Sequence, residues 1–359
     1  MYEFNLTESL APAQRDMGAR DVTIGELLRE IARETPEAPA LLEVTQAGNT
    51  GRNWTYAALL KDCERLAQAL SSRYRPGDHV VVWAPNSPEW VLMEYACALA
   101  GLVLVTANPA FQTKELRYVL EHSGAVALFT VASFRGNPMA RIAAEAAQGL
   151  SAVREIVDLD DETALYAISG DTPELPTVSP DDAAQIQYTS GTTGFPKGAV
   201  LSHQGLVNNA RFYARRCGAN AGTVWINIMP MFHTSGCGMV TLGCLQAGCC
   251  MLLVSLFDPA VVLDLFESQR ATVILGVPTM LVALLEAHET RPRDTSSLEV
   301  VSSGGLDGGA GTGAPRAVRL RLRILDALWS DRALPDHHPA SSERQSRRYL
   351  QHRRPTDPA

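Results

Sequence analysis

Lysine is almost missing from this chain: Lys61, Lys114 and Lys197 are the only three. Basic charge is carried by arginine, so a lysine inside a polar loop stands out. The seven cysteines contain no Cys-x-x-Cys pair and no partnered histidine cluster, which argues against a zinc site. They are expected as reduced, buried thiols of a cytoplasmic protein. A net charge of −8 argues against general nucleic-acid binding by the whole chain. No internal repeat is visible. No unbroken apolar run reaches the ~20 residues needed to cross a bilayer. Residues 217–257 hold no Asp, Glu, Lys or Arg, yet Asn220, Pro230, His233 and Gln246 interrupt them. They read as a strand, loop, helix and strand buried on both faces. Glu3 and Glu8, with no apolar run beside them, predict no signal peptide.

What the chain does have is alternation. Residues 1–21 are polar and expected to be loose. Thr23 to Ala32 places Ile24, Leu27, Leu28 and Ile31 on one helical face, with Glu26 three after Thr23 as in a capping box. Helix follows Trp54-Thr55-Tyr56, and His79-Val80-Val81-Val82-Trp83 reads as a buried strand. Strands at 102–106, 126–130 and 153–159 then alternate with helices at 90–100, 114–121 and 138–148, with Thr113 as a candidate cap. The pattern resumes past residue 183, and 235–245 reads as one helix. Such alternation predicts an α/β fold with right-handed crossovers and parallel sheets.

Residues 188–203 organise the rest. They read Tyr-Thr-Ser-Gly-Thr-Thr-Gly-Phe-Pro-Lys-Gly-Ala-Val-Leu-Ser-His. A strand enters, a second strand at Ala199-Val200-Leu201 leaves, and Ser202 or His203 opens a helix. Gly191, Gly194 and Gly198 permit sharp turning and close approach to a ligand. Successive N–H groups in such a turn make an anion site. Thr189, Ser190, Thr192 and Thr193 add hydroxyl donors, and Lys197 adds a mobile positive charge. Four hydroxyls and a cation without a carboxylate suit a di- or triphosphate. Composition alone would permit a plain Gly/Ser/Thr surface loop. A P-loop is refused, because Lys197 is followed by Gly198 and preceded by Pro196.

This run resembles the phosphate-binding signature of the adenylate-forming, or AMP-binding, superfamily. Trp54-Thr55-Tyr56, Gly77-Asp78, Asn86-Ser87, Asn108-Pro109-Ala110-Phe111, Pro230-Met231-Phe232-His233, Gly276-Val277-Pro278-Thr279 and Ser302-Ser303-Gly304-Gly305 sit as in bacterial fatty acyl-CoA synthetases. The resemblance implies two parallel-type sheets with flanking helices, the larger N-terminal domain of that fold. It implies ATP, Mg2+, coenzyme A and a fatty acid as reactants. It assigns Thr189, Ser190, Gly191, Thr192, Thr193, Gly194 and Lys197 to the ATP phosphates, His233 to acyl positioning, and Ser303, Gly304 and Gly305 to an adenine- and acyl-facing segment. No metal ligand is assigned. His203 reads as a packing or capping residue. Met229, Met231 and Phe232 fit an acyl pocket or ordinary core equally. Peripheral membrane contact stays open, and oligomeric state is not readable.

The text changes after Gly305. Residues 306–359 hold ten Arg, no Lys and six acids, with poor periodicity. A disordered basic tail, or one that binds nucleic acid or anionic lipid, fits that composition. A frameshift fits better. Read one nucleotide later, Leu306 to Arg316 can become Ser-Thr-Val-Ala-Pro-Glu-Leu-Val-Arg-Arg. Leu328 to Ala340 can become Tyr-Gly-Gln-Thr-Glu-Leu-Cys-Pro-Ile-Ile-Thr-Gln. Both resemble what the superfamily places after its Gly-Gly. The expectation is an incomplete domain at 22–305, an out-of-frame tail at 306–359, and no small C-terminal domain carrying the catalytic lysine. The parent activity is ligation, with turnover impaired. A non-enzymatic nucleotide-binding remnant, or a protein that binds through its basic tail, is the alternative.

Overall fold

The expected alternation closes into two six-stranded sheets. The computed structural model describes residues 18–189 and 196–303. Strands are numbered in chain order: β1 Pro39–Val44, β2 Thr50–Thr55, β3 His79–Trp83, β4 Val103–Thr106, β5 Ala127–Thr130, β6 Glu155–Asp158, β7 Ala183–Thr189, β8 Lys197–Ser202, β9 Val224–Asn227, β10 Cys250–Val254, β11 Val273–Gly276 and β12 Val300–Ser303. The first sheet runs β12-β11-β9-β10-β1-β2 and the second β6-β5-β3-β4-β7-β8. Every interior pairing is parallel, and each sheet ends in one antiparallel strand, β2 or β8. Those two edges are hairpin partners, which strand–helix alternation does not signal.

Burial explains the strand sequences. Each residue of β4, β5 and β11 is buried, as continuous apolar runs require when helices cover both faces. In the first sheet the period of two divides two cores. Trp225, Met251, Leu253, Val273 and Leu275 face a core shared with the second sheet. Ile226, Leu252, Val254 and Ile274 face a separate core that includes residues of the helices Pro259–Ser268 and Pro278–Thr290. The shared core takes in the helices Ile24–Glu34, Tyr56–Ser71, Pro88–Ala100 and His203–Arg216.

The capping box forms as read. Thr23 Oγ1 accepts from Glu26 N–H at 3.0 Å, and the Glu26 carboxylate accepts from Thr23 N–H at 2.7 Å. His203 is fully buried at the start of its helix, where its Nδ1 accepts from Ile24 N–H at 3.4 Å. Burial lowers its pKa to about 4, so it packs as a neutral ring.

Two expectations change, at Thr113 and at 235–245. Thr113 is the first helical residue rather than the cap of Thr113–Ser123; Gln112 caps it, its N–H donating to Glu115 Oε2 at 3.0 Å. The connection 160–183 contains a helical turn, Glu162–Leu165. The single helix expected at 235–245 is a π-helix over Ser235–Thr241 followed by an α-helix over Leu242–Ala247. All seven cysteines are unpaired, six of them buried. Among the described residues no helix is long and apolar enough to cross a membrane.

Candidate functional site

The described ends of the signature lie on two paired strands. β7 and β8 pair from Ala183↔Ser202 up to Thr189↔Lys197. Directly opposed residues of an antiparallel pair project to one face, so Thr189 and Lys197 stand side by side, both exposed. Ser190, Gly191, Thr192, Thr193 and Gly194 lie outside the described residues, as do Gly304 and Gly305. Gly198 is a close-approach glycine: a Cβ there would sit 2.9 Å from Ile186 Cγ2.

Both shoulders of the hairpin are braced by the helix Thr113–Ser123. Tyr118 Oη donates to Pro196 O at 2.9 Å, and His122 Nδ1 lies 2.9 Å from Tyr188 Oη. Tyr118 and His122 stack at 5.2 Å, and each meets the Tyr188 ring edge-on. Neither contact was readable from the sequence, although an i,i+4 Tyr/His pair on one helical face was a signal.

His233 sits on the loop leaving β9. Its N–H donates to Pro230 O at 3.1 Å, closing a tight turn. Ser235 N–H donates to His233 Nδ1 at 3.1 Å, with Ser235 Oγ 3.0 Å from the same nitrogen. An Nδ1 that accepts places the proton of the neutral ring on Nε2. The ring is exposed, so that N–H is available to a ligand. Asn227, fully buried, donates to Gly236 O at 3.3 Å and accepts from Met229 N–H at 3.2 Å. Met231 is wholly buried and Met229 nearly so, which makes them core; Phe232 is half-buried and lines a cleft.

A buried polar chain joins the two segments. Gln185 and Gln187 lie on one face of β7, the face that Thr189 continues. Gln187 Nε2 donates to Gln185 Oε1 at 3.1 Å and lies 3.3 Å from Cys237 Sγ. Cys237 Sγ in turn lies 3.4 Å from His233 O. At the far end, Gln185 Nε2 donates to Glu94 Oε1 at 2.7 Å. Burial raises the Glu94 pKa to about 8. Alternating glutamines in an otherwise apolar strand were the sequence signal for this network.

Between the sheets runs a cleft of about 760 Å³, lined by Asn86, Asn108, Phe134, Pro230, Phe257 and Met280 among others. These follow the carboxyl ends of parallel strands in both sheets, the place where open α/β folds put ligands. Ser303 ends β12, beside Gly276 of β11. Thr189, Lys197, His233 and Ser303 therefore all lie at or beyond strand ends. Among the described residues no group of three His, Cys, Asp or Glu is placed to hold a metal.

The AMP-binding enzyme family matches residues 28–324, so the match continues past Gly305. Human mitochondrial medium-chain acyl-CoA ligase ACSF2 is 30% identical over 339 residues, covering 85% of this chain and 53% of its own. Feruloyl-CoA synthase of Amycolatopsis sp is 34% identical over 303 residues, covering 82% and 55%. The chain thus spans about half the length of the curated relatives it matches. Among solved structures, the N-terminal domain of FACL13 from Mycobacterium tuberculosis superposes with a TM-score of 0.71 at 24% identity, over 84% of this chain and 73% of that one. ATP-bound MatB from Rhodopseudomonas palustris gives 0.64 at 28%, over 79% and 55%.

Proposed function

The chain belongs to the AMP-binding enzyme family, and from that premise we propose that it is built to activate a carboxylic acid of the fatty-acid class with Mg·ATP, for transfer to coenzyme A. In the first step a carboxylate oxygen attacks the α-phosphorus, forming acyl-adenylate and releasing pyrophosphate. In the second the thiol sulfur attacks the acyl carbon and AMP leaves. The hairpin between Thr189 and Lys197 holds the phosphates, using the Thr189, Ser190, Thr192 and Thr193 hydroxyls, backbone N–H groups at Gly191 and Gly194, and the Lys197 ammonium. Its contribution is in-line placement and neutralisation of phosphate charge. His233 presents Nε2–H to the carboxylate. Ser303, Gly304 and Gly305 face the adenine and the acyl group. Magnesium enters as part of the nucleotide substrate, and no step is assigned to a protein-held ion.

The observation that carries this reading is the pairing of Thr189 with Lys197 at the tip of the hairpin. The ATP bound to MatB supports the choice of nucleotide. Medium-chain and feruloyl relatives leave a fatty acid as our choice, made on Asn108-Pro109-Ala110 and Pro230-Met231-Phe232-His233.

We propose that turnover by this chain is impaired: the superfamily resemblance implies an aromatic-Gly-x-Thr-Glu run that serves ATP and its magnesium, and residues 306–359 carry none. Fatty-acid-dependent ATP–pyrophosphate exchange is expected to be absent or slight. Brisk exchange would overturn the impairment. The gene tests its cause: codons 328–340 should spell an aromatic-Gly-Gln-Thr-Glu in the adjacent frame, and any other reading removes the frameshift.

A further inference from the structure

Asn86 follows β3 in the second sheet, yet its side chain is spent entirely on the first. Nδ2 donates to Met229 O at 3.0 Å and to Val254 O at 3.3 Å, while Oδ1 accepts from Met231 N–H at 2.8 Å. An amide has two donor hydrogens and one oxygen, and all are committed to the loop leaving β9 and to the last residue of β10. Met229 and Met231 flank Pro230, which has no N–H and whose carbonyl accepts from His233. The side chain therefore grips both sides of the residue that begins the His233 turn. It does so from the lining of the cleft.

We infer that Asn86 is the positioning residue for His233. It fixes the Pro230–His233 turn, and through it the direction of Nε2–H, from the opposite sheet. Its meaning for catalysis rests on the carboxylate-facing role proposed for His233; the placement itself does not. Only a carboxamide supplies this pattern, and glutamine carries it one methylene too far out. Aspartate keeps an acceptor for Met231 N–H but sets an oxygen against two carbonyl oxygens. Alanine leaves the Met229 and Val254 carbonyls and the Met231 N–H without this partner, a loss at the His233 loop and the end of β10.

The test compares the 359-residue chain with Asn86→Ala and Asn86→Asp by hydrogen exchange and by the His233 ring resonance, assigned with His233→Gln. In Asn86→Ala, exchange across 228–241 should rise about tenfold or more, the helix Thr113–Ser123 should be unchanged, and the His233 resonance should shift. Asn86→Asp should retain more protection at Met231 than Asn86→Ala while still moving the resonance. An unmoved resonance in both variants, or a uniform rise in exchange across the chain, would overturn the inference. If the parent chain shows carboxylate-dependent exchange of ATP and pyrophosphate, Asn86→Ala should raise KM for the acid about tenfold and leave KM for ATP within about twofold. An equal rise in both would also overturn it. Failure of the proposed function shows separately, as a parent chain that binds no nucleotide while the ring and exchange signals still respond to Asn86.

Discussion

Gly236→Ala is expected to collapse the loop that carries His233. A Cβ at Gly236 would lie 2.3 Å from Pro230 O, 2.6 Å from Pro230 C and 2.8 Å from Met229 O. All three are backbone atoms, so no side-chain rotation relieves the clash. The segment cannot slide either. Gly236 N–H donates to His233 O at 2.9 Å, and Gly236 O accepts from Asn227 Nδ2 at 3.3 Å and from Thr241 Oγ1 at 3.0 Å. The added methyl must push the π-helix off the Pro230 turn, breaking these bonds and disturbing the Asn86 contacts behind them. A cost of about 3–5 kcal/mol is expected, read as a lower denaturant midpoint. A variant melting within about 0.5 kcal/mol of the parent would mean that the loop packs differently. Gly238→Ala is the control, because its Cβ would meet nothing nearer than 3.6 Å.

Glu94→Gln should remove a pH dependence of stability. Glu94 is almost completely buried; Oε1 accepts from Gln185, and Oε2 has no partner among the described residues. Desolvation raises its pKa from the ordinary 4.5 to about 8. Between those values the unfolded chain has lost the proton and the folded chain keeps it. Stability therefore falls as pH rises from about 4.5, and the loss is complete once pH passes about 8. The size of the effect is on the order of 5 kcal/mol. Denaturant midpoints from acid to alkaline pH should decline in the parent and stay flatter in Glu94→Gln. Equal slopes in the two proteins would exclude Glu94 as the source. Because Gln185 and Gln187 lead from Glu94 to Cys237, the same ionisation should loosen β7 where it enters the signature hairpin, visible as faster amide exchange at Gln187.

Much of the architecture was legible for one physical reason. Strands covered by helices on both faces must be apolar throughout, and β3 appears at 79–83 where it was read. Helix starts were legible where a side chain does the capping, as at Thr23. β2 was not legible, because Thr50-Gly51-Arg52-Asn53 lies on an exposed edge with no apolar period to read. The π-helix was not legible either. Its register is chosen by tertiary bonds from Asn227 and Thr241 to Gly236 O, and helical spacing cannot encode those. At the site, Thr189, Lys197 and His233 could be named from their motifs. Tyr118, His122 and the glutamines of β7 act through contacts across long sequence distances, and only folding brings those together. Asn86 was visible as a motif residue without a role until its three bonds placed it under the His233 turn.

If the hairpin at 188–203 is a phosphate cradle, the 359-residue chain binds Mg·ATP at equilibrium. Saturable binding is expected, weakened about tenfold or more in Lys197→Ala, since a charged donor to phosphate is lost. The variant should melt like the parent, because Lys197 is exposed at the hairpin tip. A folded parent chain that binds no Mg·ATP, or a Lys197→Ala variant that binds it as well as the parent does, would rule the cradle out.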